Sequence, residues 1–343
     1  MLFNLEFDHG DRIEGYLIPD GFSEKANIVI TKDDGTRIIL PCLHERVAVK
    51  QSGRHETGFV GFMIDKTIVP DLETQKNLSI RDAKTNLLIY RRPIDGAIER
   101  KLLRLDMSIV PQPKLDAYCG GLFQYAINSV ERFGHETTLQ TFHLNSVNSI
   151  FVSGRLLLRN YEEFLDKGFI VVANLSNPYY ELACRLLTLK GLARGQVSFL
   201  DDRDKLAMEP ASRHFADVNL ADDRALVRSL KTADAKVRQG ISSTVTRQLV
   251  ATSPDQRVSK RDVAAAINML ARFSVVGYEY CIHYQQALGE LLQVPYTDIP
   301  VASIHPTLEK IAQRLSSFSV AELILEEDLI LSHYVRKALW SHT

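Results

Sequence analysis

The chain has 343 residues, of which 45% are hydrophobic and 24% charged, with a formal net charge of −1. That length accommodates two ordinary domains, each with its own buried core. The near-neutral balance excludes a whole-molecule field for nucleic acid or anionic lipid, so any anion site has to be local.

Residues 1–92 read as an all-β, sandwich-like module. Short alternating or β-branched runs recur as "LFNLEF", "RIEGYLI", "NIVIT", "TRIILP", "VAVK", "FVGFMI", "LSIRD" and "LLIYRR". Turn signals such as "DHGD", "PDGF" and "QSGRHETG" separate them. "TKDDGTR" predicts a hairpin, because Asp34-Gly35 tolerates the positive φ that a tight turn requires.

Residues 93–118 read as a linker with a helix in "IERKLLRLDMSI". From residue 119 to 343 strands alternate with helices, which predicts an α/β domain of three layers around a mainly parallel sheet. "YAINSV", "NSIFVSG", "GFIVVAN" and "SVVGYEY" are its candidate strands. "TTLQTF" reads as a helix that His143 and Asn145 close. "YYELACRLLTLKGLA" puts Leu182, Leu186 and Leu189 on one helical face. "SKRDVAAAINMLARF" opens on Ser259 with Asp262 three residues on, a near capping box. If residues 212–249 form one helix, Arg224, Arg228, Lys231 and Lys236 share a basic face. One long or two short helices end the chain.

Cys42, Cys119, Cys184 and Cys281 show no CxxC spacing and fit reduced thiols. The first residues, "MLFNLEFDHGDRIEG", lack the basic and apolar regions of a signal peptide, and no apolar run approaches the ~20 residues of a membrane span. A cytoplasmic protein is expected. The His and Cys residues lack metal-ligand spacing, and neither GxSxG nor GxxxxGK[ST] occurs, so no metal is expected.

Two resemblances follow from these segments. "EGYLIPDGF", "GFVGFMID" and "LSIRDAKTNLLIYRR" resemble the small β-sandwich modules beside glycosyltransferase and sulfotransferase domains in bacterial surface-polysaccharide proteins. "SIFVSGRLLLRNYEEFLDKGFIVVANLSNPYYELACRLL" is similar to the middle of carbohydrate sulfotransferases. "LARFSVVGYEYCIHYQQALGELLQVP" and "LEEDLILSHYVRKAL", through Asp328, Leu329 and Tyr334, resemble that family's C-terminal segments. The resemblance implies 3′-phosphoadenosine-5′-phosphosulfate as sulfuryl donor and a glycan or lipid-linked saccharide as acceptor. No nucleic-acid partner is implied, and a homodimer is possible.

The resemblance also implies where the donor would sit. Around "SVERFGHETT", Arg132 would supply charge, Gly134 close approach, and Thr137 and Thr138 hydroxyls to a phosphate at a helix start. Glu131 and Glu136 place two carboxylates in the same loop. His135 or Glu136 would take the acceptor's proton. The family holds the 3′-phosphate on an Arg-Asp-Pro turn; here "LSNP" keeps Pro178 but has Ser176 and Asn177, and the family's helix serine falls near Cys184. Losing a charged hydrogen bond there costs ~1.5–3 kcal/mol. Arg155 and Arg185 are the neighbouring cations that would compensate. Three readings follow: a sulfotransferase-like enzyme, a non-catalytic scaffold or regulator that has lost donor binding, and, ranked lower, a glycosyltransferase.

Overall fold

A computed structural model describes residues 1–144, 147–279 and 281–340. Asn145 therefore lies outside the described residues. The chain divides into two compact units. One comprises Met1–Lys101, Cys119–Ile127 and Phe133–Val152; the other comprises Leu102–Tyr118, Asn128–Arg132 and the chain from Ser153 onward.

The strands of the first unit begin with β1 (Leu2–Asp8), β2 (Ile13–Ile18), β3 (Asn27–Thr31), β4 (Arg37–Pro41) and β5 (His44–Glu45). Helix α1 (Val47–Gln51) precedes β6 (Phe59–Ile64), β7 (Ser79–Asp82) and β8 (Leu88–Arg91). They form two antiparallel four-stranded sheets, in the orders β1-β2-β6-β5 and β4-β3-β7-β8. The expected hairpin joins β3 to β4, with Gly35 at φ 81°. "VAVK" is the exception, forming α1 instead of a strand. No residue of that helix is buried, so its β-branched side chains have no sheet face to fill. Asp8 and Arg92 make a bidentate, partly buried pair (2.8 and 3.0 Å), which the Tyr90 hydroxyl joins by donating to Asp8.

A third sheet takes β9 (Lys101–Leu105), β10 (Tyr125–Ile127), β11 (Ile150–Gly154), β12 (Phe169–Leu175) and β13 (Val275–Tyr278) in the order β10-β11-β9-β12-β13. The β10–β11 and β12–β13 pairings are parallel. The expected helix over "IERKLLRLDMSI" is corrected to strand β9. Leu102, Leu103, Arg104 and Leu105 are all buried, the continuous pattern of a strand covered on both faces and not the one-sided stripe of a helix.

Helix α2 (Pro113–Gly121) follows β9, α3 (His135–Phe142) follows β10, and α4 (Glu163–Asp166) precedes β12. Helix α5 (Pro178–Ala193) leaves β12 and buries Leu182, Leu186 and Leu189. The condition that residues 212–249 form one helix is not met, because the segment is divided among α6 (Asp202–Phe215), α7 (Asp223–Thr232), α8 (Ala235–Gln239) and α9 (Thr244–Val250). Asp222 caps α7 by accepting from the Arg224 and Ala225 N–H groups, and Asp234 caps α8 by accepting from the Val237 N–H, so each starts a separate helix. Helix α10 (Lys260–Leu270) has the full Ser259/Asp262 capping box.

Helices α11 (Ile282–Leu292), α12 (Pro306–Leu315), α13 (Ser319–Ile324) and α14 (Glu326–Trp340) complete the chain. Helix α5 packs with α6, α7 and α12 in one apolar cluster around Phe215, Leu226, Leu230 and Leu315. Among the described residues no helix is long and apolar enough to cross a membrane. The four cysteines carry free thiols; Cys42, Cys119 and Cys184 are buried, whereas Cys281 at the start of α11 is partly exposed.

Candidate functional site

In an open parallel sheet, ligands bind beyond the carboxyl ends of the strands, where the chain switches direction across the sheet. Here β9 is central, β10 and β11 lie to one side, and β12 and β13 to the other. The residues just past four of these strand ends are Asp106, Arg155, Ser176 and Glu279. All four belong to the second unit.

The end of β9 is an ionic cluster. Arg104 donates to Asp106 through Nη1 (2.5 Å) and Nη2 (2.9 Å), and to Asp116 through Nε (3.0 Å). All three side chains are buried. Burial, with the neighbouring charges of Asp116 and Glu131, pushes the Asp106 carboxyl up to about 6 against the pull of Arg104. Gln248 of α9 ties this strand end down by donating to the Asp106 carbonyl (2.6 Å).

The end of β11 is shaped by a close approach. Gly154 sits at φ 147°, and a Cβ there would collide with the Glu131 carboxylate and the Val130 N–H. The missing side chain lets Glu131 accept from the Arg155 N–H (3.0 Å) and approach its guanidinium Nε (3.4 Å). Asp204 of α6 pairs with the other side of that guanidinium. Burial alone would lower the Arg155 pKa; Asp204 and Glu131 raise it instead.

Arg155 opens onto a cavity of about 450 Å³ whose other charged lining residues are Arg185, Lys236, Arg247, Glu131, Asp204 and Asp255. Arg185 donates to the Gly240 carbonyl (3.4 Å). Arg247 donates to the carbonyls of Gln239 (2.6 Å) and Ser242 (2.7 Å). Among the described residues neither guanidinium forms a salt bridge, and the Nε of each is buried without a hydrogen-bond partner. Burial and the charges of Arg155 and Arg247 pull Arg185 down to about 10 against the opposing charges of Glu181 and Asp328, which leaves it cationic at pH 7. Glu181, Asp328 and Glu327 act on these two guanidinium groups from beyond salt-bridge distance, and a cavity with two guanidinium groups outside any direct ion pair among the described residues is suited to a ligand anion.

The end of β12 differs. Ser176 is buried and its hydroxyl donates to Glu181, a carboxyl that burial raises above its ordinary value. Asn177 caps α5, its side chain accepting from the Tyr179 N–H (3.0 Å), and Pro178 takes the first helical position. This turn lines a separate cavity of about 280 Å³ with Tyr179, Tyr180, Glu279 and Glu309, and no Arg or Lys. The carboxylates oppose phosphate at this position. Arg155 and Arg185 thus come together in one cavity, but not at the Ser176 turn.

The residues around "SVERFGHETT" are placed as follows. Arg132 is exposed on the turn after β10. Gly134 is the N-cap of α3, and His135 and Glu136 are exposed in its first turn. Arg54 donates to Glu136 through both terminal nitrogens (3.3 and 3.2 Å). The Thr137 hydroxyl donates to the Met1 carbonyl (2.8 Å), and that of Thr138 to the Gly134 carbonyl (3.2 Å). Both hydroxyls are therefore engaged within the protein. The residues lining the arginine cavity include Arg155 and Arg185 but not His135, Glu136, Gly134, Thr137 or Thr138. Arg247 was not singled out from sequence. It lies in an unremarkable "TVTRQLV" helix, and only the tertiary fold brings it beside Arg185. Among the described residues no group of three or more His, Cys, Asp or Glu side chains is placed to hold a metal ion.

No family model matches this chain, and neither a curated protein nor a solved structure matches it.

Proposed function

We propose that the second unit binds a phosphate-bearing nucleotide in the arginine cavity, and that the chain is a sulfotransferase-like protein acting on a glycan hydroxyl. The observation that carries the binding step is the pair Arg185 and Arg247, each with a buried, unpartnered Nε and no carboxylate partner among the described residues. The donor is 3′-phosphoadenosine-5′-phosphosulfate, as the resemblance in sequence implies. In the reaction the acceptor oxygen forms a bond to sulfur, the bridging S–O bond breaks with its electron pair leaving on adenosine 3′,5′-bisphosphate, and the acceptor proton passes to solvent. Positive charge beside the leaving phosphate stabilises the charge that develops there.

A second reading, a scaffold that binds a nucleotide without transfer, is favoured by one observation. The cavity carboxylates Glu131 and Asp204 are committed to Arg155, and Asp255 accepts from Gln239 (2.9 Å).

Calorimetric titration with adenosine 3′,5′-bisphosphate, with adenosine 5′-phosphate as control, tests the binding step. Tight binding to the bisphosphate that weakens tenfold to a hundredfold in Arg185→Ala, the loss of ~1.5–3 kcal/mol, supports it. No binding of either nucleotide at millimolar concentration overturns it. A transfer assay on the same protein separates enzyme from scaffold.

A further inference from the structure

A larger cavity, of about 560 Å³, lies in the same unit between α8, α9, the 256–258 segment and α13. It shares Gln239 and Arg247 with the arginine cavity, so one guanidinium forms part of the wall of both. Its chemistry is divided. Arg238, Arg247 and Arg257 contribute three cations, against the single carboxylate of Glu327. That carboxylate already accepts from the Ser243 hydroxyl (2.5 Å). Val258, Val320, Leu323 and Ile324 supply an apolar wall.

Arg238 already donates to the carbonyls of Ala233 (3.0 Å) and Lys231 (3.4 Å), but two other parts of the lining are unmet. Arg257 forms no hydrogen bond or ion pair among the described residues, and its side chain is exposed. Leu323 is 71% exposed, although its helix neighbours Val320 and Ile324 are 8% and 6% exposed. An unpaired guanidinium beside an uncovered leucine matches a ligand that has an anionic head and an apolar body. A fully hydrated sugar or a free phosphate would leave the leucine in water. A neutral hydrocarbon would leave the guanidinium unanswered.

We propose that this cavity is a second binding site, for an anionic amphiphile whose carboxylate or phosphate head meets Arg257 and Arg238 and whose chain covers Val320, Leu323 and Ile324. The reading does not depend on nucleotide binding in the neighbouring cavity. Arg247 lines both cavities.

The test uses the full chain and displacement of 8-anilinonaphthalene-1-sulfonate, followed by fluorescence, with octanoate, octyl phosphate and octanol as competitors. Both anions are expected to displace the probe at concentrations where octanol does not; their order assigns the head group. Arg257→Ala, at an exposed position outside the core, is expected to weaken displacement about tenfold, and Arg238→Ala to act in the same direction. Equal displacement by octanol, or an unchanged profile in both variants, overturns the proposal. Arg257 does not line the arginine cavity, so Arg257→Ala should leave the adenosine 3′,5′-bisphosphate titration unchanged. The amphiphile site and the nucleotide site therefore stand or fall separately.

Discussion

Two strand ends of the same sheet, at Gly154–Arg155 and at Ser176–Pro178, have similar local form and opposite chemistry. Both follow a buried parallel strand, and both face a cavity. After β11 the chain delivers a guanidinium, and α5 and α9 bring two more to the same space. After β12 the hydroxyl turns inward to a buried carboxyl, and the cavity beyond carries Glu279 and Glu309. The difference teaches that a strand–turn–helix unit supplies the place for an anion but not the attraction. That comes from cations whose charge the protein has not already spent, and these arrive from other elements.

The comparison presupposes an intact sheet, and its largest test removes the support at the sheet's centre. Arg104→Met leaves Asp106 and Asp116 buried without their cation and is expected to destabilise the fold by about 3–5 kcal/mol, read from the denaturant midpoint. Next in size is the contrast in ligand binding. Arg185→Ala should weaken adenosine 3′,5′-bisphosphate binding tenfold to a hundredfold, whereas Ser176→Ala should leave it within about twofold. The reverse result would break the distinction between the two turns.

Gly154→Ala should lower stability by roughly 1–3 kcal/mol, because its Cβ displaces Glu131 from Arg155 at a φ that L-residues disfavour; thermal unfolding would show it. Ser176→Ala should cost about 1 kcal/mol, the worth of its bond to Glu181.

The smallest effect concerns pH and contrasts a fully buried carboxyl with a partly buried one. Asp106, held up to about 6, binds its proton more tightly in the folded chain than in the unfolded one. Its contribution therefore falls as pH rises from about 4 through 6, and Asp106→Asn should lack that fall. Asp8 has the opposite sign. Burial raises its pKa, but the hydrogen bonds from Arg92, the Gly10 N–H and Tyr90 outweigh that and hold it below its ordinary value. Its stabilisation is complete above about pH 4 and is lost on acidification, so Asp8→Asn should flatten the acid limb of an unfolding profile.

Much of the β module was legible, because its strands alternate and Asp34-Gly35 marks a turn with one solution. The segments that misled did so for identifiable reasons. "KLLRL" carries an Arg and a Lys among its leucines, which looks amphipathic until Arg104 is seen to be neutralised inside by two aspartates. "VAVK" has the composition of a strand and no partner to bury it. In the candidate site, Arg155 and Arg185 were readable as cations near strand ends, and Glu131 as a carboxylate in an anion's way. That Glu131 answers Arg155, and that Arg247 joins Arg185, depends on contacts between residues 24 and 62 positions apart, beyond any local pattern.

The thiols have a practical consequence. Burial holds the Cys42 thiol at about 12 and raises that of Cys184 as well, and Cys119 is enclosed. Maleimide chemistry requires an accessible thiolate. At neutral pH it should therefore modify Cys281 in the native chain, without any cysteine being removed by mutation. A single fluorophore would then sit where α11 begins, past the carboxyl end of β13. Emission from that position reports on the carboxyl edge of the sheet, and an unmutated chain can be followed by fluorescence as each candidate ligand is added.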